Sequence, residues 1–179
     1  MQVSEIMSRN VVTCRPHDQG AHAARLMWEH DCGVLPVVDE EERVIGVVTD
    51  RDVCMGAYTT GARLEELPVS RSMACNVVSC RPGDRLDEVL DTMARARVRR
   101  VPVVDEQHRI VGLLSLNDVL CRIPRIADAR ARGAITETTL QTLEHICRHR
   151  EPTTEVAPDE STSAATSPAR GRPLRKAPV

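Results

Sequence analysis

The sequence predicts an α/β (α+β) fold in which two β-α-β-β-α repeats pack with pseudo-twofold symmetry, followed by a C-terminal helix and a disordered tail. Residues 3–53 align without a gap with residues 69–119, with 20 identities in 51 positions, which indicates two copies of one supersecondary unit. Short β-branched runs alternate with segments of helical period in each copy. Neither copy has enough apolar surface to be stable alone, so each is expected to cover the other.

The repeat divides the chain into four segments. The first repeat and its linker occupy 1–62, and the second repeat occupies 63–123. A helical extension is expected at 124–150. From 151 to 179 the chain is mostly Pro, Thr, Ser, Ala and Arg without an apolar period, which predicts a disordered tail.

Composition excludes several classes of function. The formal net charge is −2, so nothing global attracts nucleic acid or an anionic membrane, and no aromatic pair is available to stack bases. The first ten residues lack the basic region and apolar run of a signal peptide. We therefore expect a soluble, cytoplasmic protein with no membrane or nucleic-acid partner.

The seven cysteines contain no C-x-x-C pair. In a cytosolic chain they are expected to be reduced thiols that act as small apolar residues. Redox sensing by Cys14 and Cys80 is the alternative interpretation. No metal site and no catalytic residues are expected.

The first half of each repeat predicts a strand and a helix. Short apolar strands are expected at 11–14 and 77–80, each ending at Arg-Pro. Asp18 and Asp84 stand where helix N-caps should be. The second-copy helix carries an apolar stripe, and the first-copy helix has small residues that predict close packing by another segment. The two faces are Leu86, Val89, Leu90, Met93 and Ala94 in copy two, and Gly20, Ala23, Ala24 and Met27 in copy one.

The second half of each repeat predicts a β-hairpin followed by a helix. "VLPVVD" and "RVPVVD" are β-branched strands, "DEEER" and "DEQHR" turn the chain, and "VIGVV" and "IVGLL" return as hairpin partners. Helices are expected to begin at Thr49 and Ser115. Near the C-terminus, Leu140, Leu143 and Cys147 are expected on one face of a last helix.

These residues resemble the cystathionine-β-synthase (CBS) domain family, as a tandem pair often called a Bateman module, over about residues 1–123. The marks are "LPVVD" and "VPVVD", Gly46 and Gly112 in the third strand, and the closing "TDRD" and "SLND". Stand-alone bacterial CBS-pair proteins are the nearest likeness. The resemblance implies a regulatory module rather than an enzyme.

The ligand that the resemblance implies is an adenosine compound bound in a cleft between the repeats. AMP, ADP or ATP is expected as a regulatory ligand, ahead of S-adenosylmethionine, with no obligatory cofactor. Two CBS pairs commonly form a disc-shaped dimer, so a homodimer is expected. An unidentified protein target would read the ligand state.

Ribose binding is assigned by resemblance to Thr49 with Asp52 and to Ser115 with Asp118. A carboxylate can accept hydrogen bonds from two neighbouring hydroxyls, and the three-residue spacing puts each pair on one helix face. The alternative is that Thr49 and Ser115 are only N-caps, with the aspartates closing a capping box.

Adenine and phosphate positions also follow from the resemblance. The adenine slot would use the first strand, at Val12 and Val78, and the residues near the start of the "PVVD" strand, including Leu35 and Val101. Guanidinium groups suit phosphate, and the matching positions are Arg51, Arg99 and Arg100.

The two copies differ at these positions. Asn117 replaces Arg51, Val34 replaces Arg100 and Gly33 replaces Arg99, so the two clefts are expected to be unequal. The leading hypothesis is therefore an adenine-nucleotide sensor. The alternative is a ligand-free dimerisation or scaffold protein that kept the fold, which is motivated by "SLND" in place of "TDRD".

Overall fold

A computed structural model describes residues 1–148. Within this part, the helices and the hairpin strands follow one another in the order that the repeat predicts. The elements are α1 (Gly20–Glu29), β1 (Val34–Val38), β2 (Val44–Thr49), α2 (Asp50–Thr60), α3 (Leu86–Ala96), β3 (Arg100–Val104), β4 (Ile110–Ser115), α4 (Leu116–Arg122) and α5 (Ala129–Cys147). The disordered tail predicted at 151–179 lies outside the described residues.

Each repeat contains the predicted antiparallel hairpin. β1 pairs with β2 from Val34 opposite Thr49, and β3 pairs with β4 from Arg100 opposite Ser115. The polar turns place Glu42 and His108 at positive φ. The hairpins bring the start of the "PVVD" strand beside the residue that caps the following helix.

The strands predicted at 11–14 and 77–80 are reduced to single parallel bridges, from Cys14 to Val37 and from Cys80 to Val103. Cys14 donates its N–H to Pro36 and accepts from Val38. The prediction of regular strands was wrong in length, because only the residue before Arg-Pro comes within pairing distance of the hairpin.

The N-caps predicted at Asp18 and Asp84 were also wrong. α1 and α3 are preceded by Gln19 and Arg85, which make no side-chain cap. The Asp18 carboxylate instead accepts from the N–H of Arg15 at 2.7 Å, and Asp84 does the same in the second repeat. Both aspartates therefore close the turn before the helix rather than the helix itself.

Helix packing confirms the predicted faces. Leu86, Val89, Leu90 and Met93 are buried in the second core. In the first repeat, the small face of α1 is covered by the linker, because Gly20 and Ala21 donate to the carbonyls of Leu67 and Leu64. A Cβ at Gly20 would lie 3.4 Å from both carbonyl oxygens, which explains the small residue there.

The first residues of each repeat pack on the core of the other repeat. Val3 and Met7 belong to the second core, while Val69 and Met73 pack in the first. Each segment forms one antiparallel bridge with the facing strand, Ser8 with Leu113 and Ala74 with Val47. Each half therefore contributes a segment to the core of the other half, and this pseudo-symmetric exchange holds the two halves together.

The glycines within β2 and β4 make the exchange sterically feasible. A Cβ at Gly46 would lie 2.9 Å from Sδ of Met73, and a Cβ at Gly112 would lie 2.7 Å from Sδ of Met7. Real Cβ atoms essentially never approach so closely. Glycine is therefore required at both positions, because a side chain there would clash with the methionine of the exchanged segment.

A second junction joins the two hairpins directly. Arg43 and Arg109 form an antiparallel bridge, in which Val44 donates to His108 at 3.0 Å and Ile110 donates to Glu42 at 3.1 Å. Arg43 and Arg109 are equivalent positions of the 66-residue repeat. The bridge between them therefore lies at the pseudo-twofold axis that relates the two halves. The halves clasp each other as predicted.

The C-terminal helix α5 packs on α3, and of the three residues predicted to face the core only Leu143 does so. Ile135, Thr139, Thr142 and Ile146 face the second repeat, whereas Leu140 is 60% exposed and Cys147 is exposed. The two buried threonines donate to carbonyls four residues earlier, at 2.7 and 2.8 Å. Because both hydroxyls are hydrogen-bonded within the helix, the face that carries these threonines can be buried.

Candidate functional site

The end of β2 and the start of α2 form the first predicted ribose pair. Thr49 donates from its N–H and its hydroxyl to Oδ2 of Asp52, at 3.1 and 2.9 Å, and its hydroxyl accepts from the N–H of Asp52 at 3.2 Å. Both residues are half-buried. Within residues 1–148, Oδ1 of Asp52 accepts no hydrogen bond.

The second pair, at the end of β4, repeats this geometry. Ser115 donates from its N–H and hydroxyl to Oδ2 of Asp118, at 2.8 and 2.6 Å. The difference is at the other oxygen, where Oδ1 of Asp118 accepts from the hydroxyl of Ser8 at 3.3 Å. The two carboxylates therefore have the same helix role and different outer contacts.

The capping box is thus formed in both repeats. This arrangement satisfies helix N–H groups and also fixes each carboxylate in one rotamer. A carboxylate has about four acceptor positions, so capping through Oδ2 leaves Oδ1 able to accept from a ligand hydroxyl. Capping and ribose binding are compatible uses of the same side chain.

The three predicted phosphate-binding arginines lie in different places. Arg100 crosses toward the first repeat, because its Nη1 lies 3.8 Å from the position of a Cβ on Gly33, and Oδ2 of Asp50 lies 3.3 Å from that same point. Arg51 is exposed in the first turn of α2. Arg99 points elsewhere, with Nη2 3.9 Å from Sγ of Cys147 at the end of α5.

The predicted adenine residues divide into two groups. Leu35 and Val101 are fully buried in the two cores, so their side chains do not line an open slot. Val12 and Val78 are half-buried in the extended segments beside the hairpins. Of these four residues, only Val12 and Val78 therefore have partly exposed side chains.

A cleft between the repeats was expected, but sequence reasoning missed the residues that line the open cleft between the halves. It has a volume of about 400 Å³ and is lined by Val44, Ile45, Cys75, Asn76, Val77, Ser79, Val104 and His108. Thr49 does not line it, although Ile45 and Thr49 share the same side of β2, about 13 Å apart at the rise of a strand. Asn76 was the available signal, because an asparagine also stands at position 10 of the first copy.

A second surface depression, of about 520 Å³, lies between Ile123 and one side of α5. It contains none of the predicted site residues. Within residues 1–148, no three His, Cys, Asp or Glu side chains come together in a way that could hold a metal ion. Every helix in the described part is too short or too polar to span a bilayer.

The symmetry-related cysteines are poorly suited to redox chemistry. Burial, together with nearby Asp18, raises the pKa of the Cys14 thiol to about 12, and burial with nearby Asp84 does the same for Cys80. The thiolate is the reactive form, and very little is present at neutral pH. Their environment fits the structural role expected from the sequence.

Comparisons with known proteins agree with the fold and its duplication. The family model "CBS domain" matches residues 3–56 and again residues 65–125. The CBS domain-containing protein YhcV of Bacillus subtilis is 33% identical, over 79% of this chain and 97% of that protein. Hypoxic response protein 1 of Mycobacterium tuberculosis is 30% identical, over 69% of this chain and 85% of that protein.

Solved structures add information about fold and ligands. The CBS domain pair of protein MJ0100, in complex with methylthioadenosine and S-adenosyl-L-methionine, is 26% identical with a TM-score of 0.61, covering 68% of this chain and 98% of that one. CBSX2 in complex with AMP is 23% identical with a TM-score of 0.63, covering 71% and 98%. At that identity, the second likeness concerns the fold alone.

Proposed function

Because the chain belongs to the CBS domain family, we propose that it is a regulatory module that binds an adenosine-containing ligand between its two repeats. AMP, ADP and ATP are the leading candidates, with S-adenosylmethionine behind them. The observation that carries the proposal is the duplicated carboxylate, held rigid by its capping box and, at Asp52, still open at Oδ1. The MJ0100 domain pair, which holds two adenosine compounds, supports this ligand class.

The chemistry of the ligand fits the groups available. A vicinal diol donates two hydrogen bonds, and a charged acceptor makes each worth about 1.5–3 kcal/mol. Arg100 has no hydrogen bond or ion pair among the described residues, so its guanidinium is available for a phosphate. A regulatory effect further requires that the ligand prefer one arrangement of the halves.

A ligand panel tests the proposal. AMP, ADP, ATP, S-adenosylmethionine and NAD are added to the full chain, and the melting temperature is recorded. A ligand at 100 times its Kd stabilises the native state by about 2.7 kcal/mol, a rise of roughly 5–10 °C for a chain of this size. The double variant Asp52→Ala/Asp118→Ala should lose this response, and a flat response of the natural chain across the panel would refute the proposal.

A ligand-free scaffold is the second candidate function, and one observation favours it. Arg99, one of the three arginines expected at the phosphate, is turned toward Cys147 of α5. A scaffold would dimerise and ignore the whole panel. Turnover of a nucleotide in the same panel would indicate an enzyme instead.

The homodimer is part of either proposal, and the first repeat offers a surface for it. Trp28 on α1 is 88% exposed and Tyr58 on α2 is 80% exposed, and they are the only Trp and Tyr in the chain. In the second repeat, the corresponding helix α3 is covered by α5. We propose that these two exposed aromatic side chains, on α1 and α2, contact a second copy.

A further inference from the structure

The two candidate ribose carboxylates have unequal surroundings, and the difference arises outside the "TDRD" and "SLND" motifs. Oδ1 of Asp118 accepts from the Ser8 hydroxyl at 3.3 Å. The residue equivalent to Ser8 in the other exchanged segment is Ala74, which has no hydroxyl. Asp52 therefore lacks the contact that Asp118 has.

The backbone around Ser8 and Ala74 is the same, so the hydroxyl is the relevant difference. Ser8 exchanges two hydrogen bonds with Leu113, both 2.9 Å long. Ala74 exchanges two with Val47, at 2.8 and 3.0 Å. The Ser8 side chain is thus fixed beside Asp118 by the strand pairing of the exchanged segment.

Acceptor positions on the two carboxylates can be counted from these contacts. Oδ2 of each aspartate accepts two hydrogen bonds from its capping residue. Each Oδ1 offers about two more positions, and both are open at Asp52 within the described residues, whereas one is occupied by Ser8 at Asp118. A ribose diol that donates two hydrogen bonds to one carboxylate oxygen therefore finds both acceptor positions of that oxygen open only at Asp52.

Positive charge is distributed in the same unequal way. Arg51 follows Thr49 closely, whereas Asn117 stands at the matching position of the second repeat. Arg100 belongs to the second repeat but places its guanidinium near Gly33 and Asp50 of the first. Two of the three candidate phosphate-binding arginines, Arg51 and Arg100, therefore lie near the start of α2, where Asp50 is also placed.

We propose that each chain has one working nucleotide site, in which Asp52 holds the ribose and Arg100 reaches across from the second repeat toward the phosphate. In the same proposal, Asp118 and Ser8 fasten the N-terminal segment to α4 rather than bind ligand. This inference rests on the proposed function, and it assigns to one repeat a role that the sequence motif alone offers to both.

Isothermal titration with AMP and with ATP tests the assignment, using substitutions that keep the shape of each capping-box side chain. Asp52→Asn should weaken binding tenfold or more, and Asp118→Asn should weaken it less than threefold. Arg100→Gln should weaken ATP at least fivefold. The natural chain should bind one nucleotide per chain.

The pseudo-symmetry supplies a matched pair of controls. Ala74→Ser places a hydroxyl opposite Asp52 and should weaken binding about three- to tenfold. Ser8→Ala should leave affinity unchanged and lower the urea midpoint, and that loss should disappear in an Asp118→Asn background. Urea unfolding of each variant shows whether a binding loss comes from an unfolded protein.

The outcomes separate this inference from the function on which it rests. Equal losses in Asp52→Asn and Asp118→Asn, or two nucleotides per chain, would overturn the one-site assignment and leave the proposed function standing. Absence of binding by the natural chain to every compound of the panel would overturn both. An additive effect of Ser8→Ala and Asp118→Asn on stability would overturn the fastening role.

Discussion

Replacing Gly112 by Ala should destabilise the protein by acting on the exchanged N-terminal segment. The new Cβ would lie 2.7 Å from Sδ of Met7 and 3.1 Å from the carbonyl oxygen of Ser8. The methionine can rotate, but the carbonyl accepts a 2.9 Å hydrogen bond from Leu113 and cannot move without weakening it. Overpacking of this kind costs about 1–3 kcal/mol.

Gly46→Ala provides a weaker version of the same perturbation. Its Cβ would meet Sδ of Met73 at 2.9 Å and the carbonyl oxygen of Ala74 at 3.2 Å, so the loss should be the smaller of the two. Gly83→Ala is the control, because a Cβ there would meet no described atom within 4 Å. That change should be neutral or stabilise the protein by about 0.4–1 kcal/mol through the unfolded chain.

Urea unfolding followed by far-ultraviolet circular dichroism measures these differences. For a chain of this size, the loss at Gly112 corresponds to a fall in melting temperature of roughly 2–12 °C. The double variant Gly112→Ala/Met7→Ala should show a coupling energy of at least about 0.5 kcal/mol, because the two residues are in contact. If Gly112→Ala were as stable as Gly83→Ala, the exchanged packing would be refuted.

Three further predictions concern other regions. The Cys14 and Cys80 thiols, whose pKa is raised to about 12 by burial, should resist a disulfide reagent at pH 8 until urea unfolds the chain; rapid labelling of the native protein would contradict their burial. Trp28→Ala should weaken the proposed homodimer in sedimentation equilibrium, and an unchanged dimer would exclude the α1 surface. The pKa of the Asp105 carboxyl is lowered, chiefly by the backbone hydrogen bond from Arg109. Its contribution to stability is therefore full above about pH 4 and is lost as the pH falls through the lowered pKa. Asp105→Asn should make the stability of the protein depend less on pH in this acid range, and an unchanged pH dependence would contradict the reasoning.

Local sequence patterns were sufficient for the elements that depend on near neighbours. The hairpins were predictable because β-branched runs flank short polar turns, and the helix starts at Thr49 and Ser115 carry their capping partners three residues away. The α1 face of small residues correctly predicted a closely packed neighbour. In each case the interacting groups are close in sequence or repeat along it.

Predictions failed where two local solutions competed. Asp18 and Asp84 suit an N-cap and also suit a turn, and the turn formed because each carboxylate reaches an N–H three residues earlier. On α5, Leu140 was the more hydrophobic choice for the buried face. Thr139 and Thr142 are buried instead, because their hydroxyls are satisfied within the helix and need no water.

The arrangement of the candidate site depended on contacts that no local pattern encodes. Ser8 and Asp118 are 110 residues apart in the chain, and Arg100 approaches a glycine of the other repeat. The alignment of the copies predicted unequal clefts, because the positions of Arg51, Arg99 and Arg100 carry other residues in the opposite copy. Which cleft receives Arg100 depends on how the halves cross, and that is a property of long-range packing.

The relative strength of the two junctions indicates where a ligand could move the halves. Withdrawing the exchanged segments would expose Met7 and Val3, and losing buried side chains of this size costs about 2–5 kcal/mol each. The Arg43–Arg109 bridge is held by two backbone hydrogen bonds, with a net value of about 0.5–1.5 kcal/mol each. Opening this bridge is therefore within reach of a ligand's binding energy, whereas separating the halves is not.

The open cleft lies at this weaker junction. Val44 donates one of the two bridge hydrogen bonds and His108 accepts it, and both residues also line the cleft. A ligand that extends along β2 from Asp52 into the cleft would contact the bridge itself. We therefore expect ligand-linked change to be a rearrangement at the Arg43–Arg109 edge, with the methionine-anchored segments remaining in place, and hydrogen exchange at Val44 and Ile110 should report it before exchange at Leu113 does.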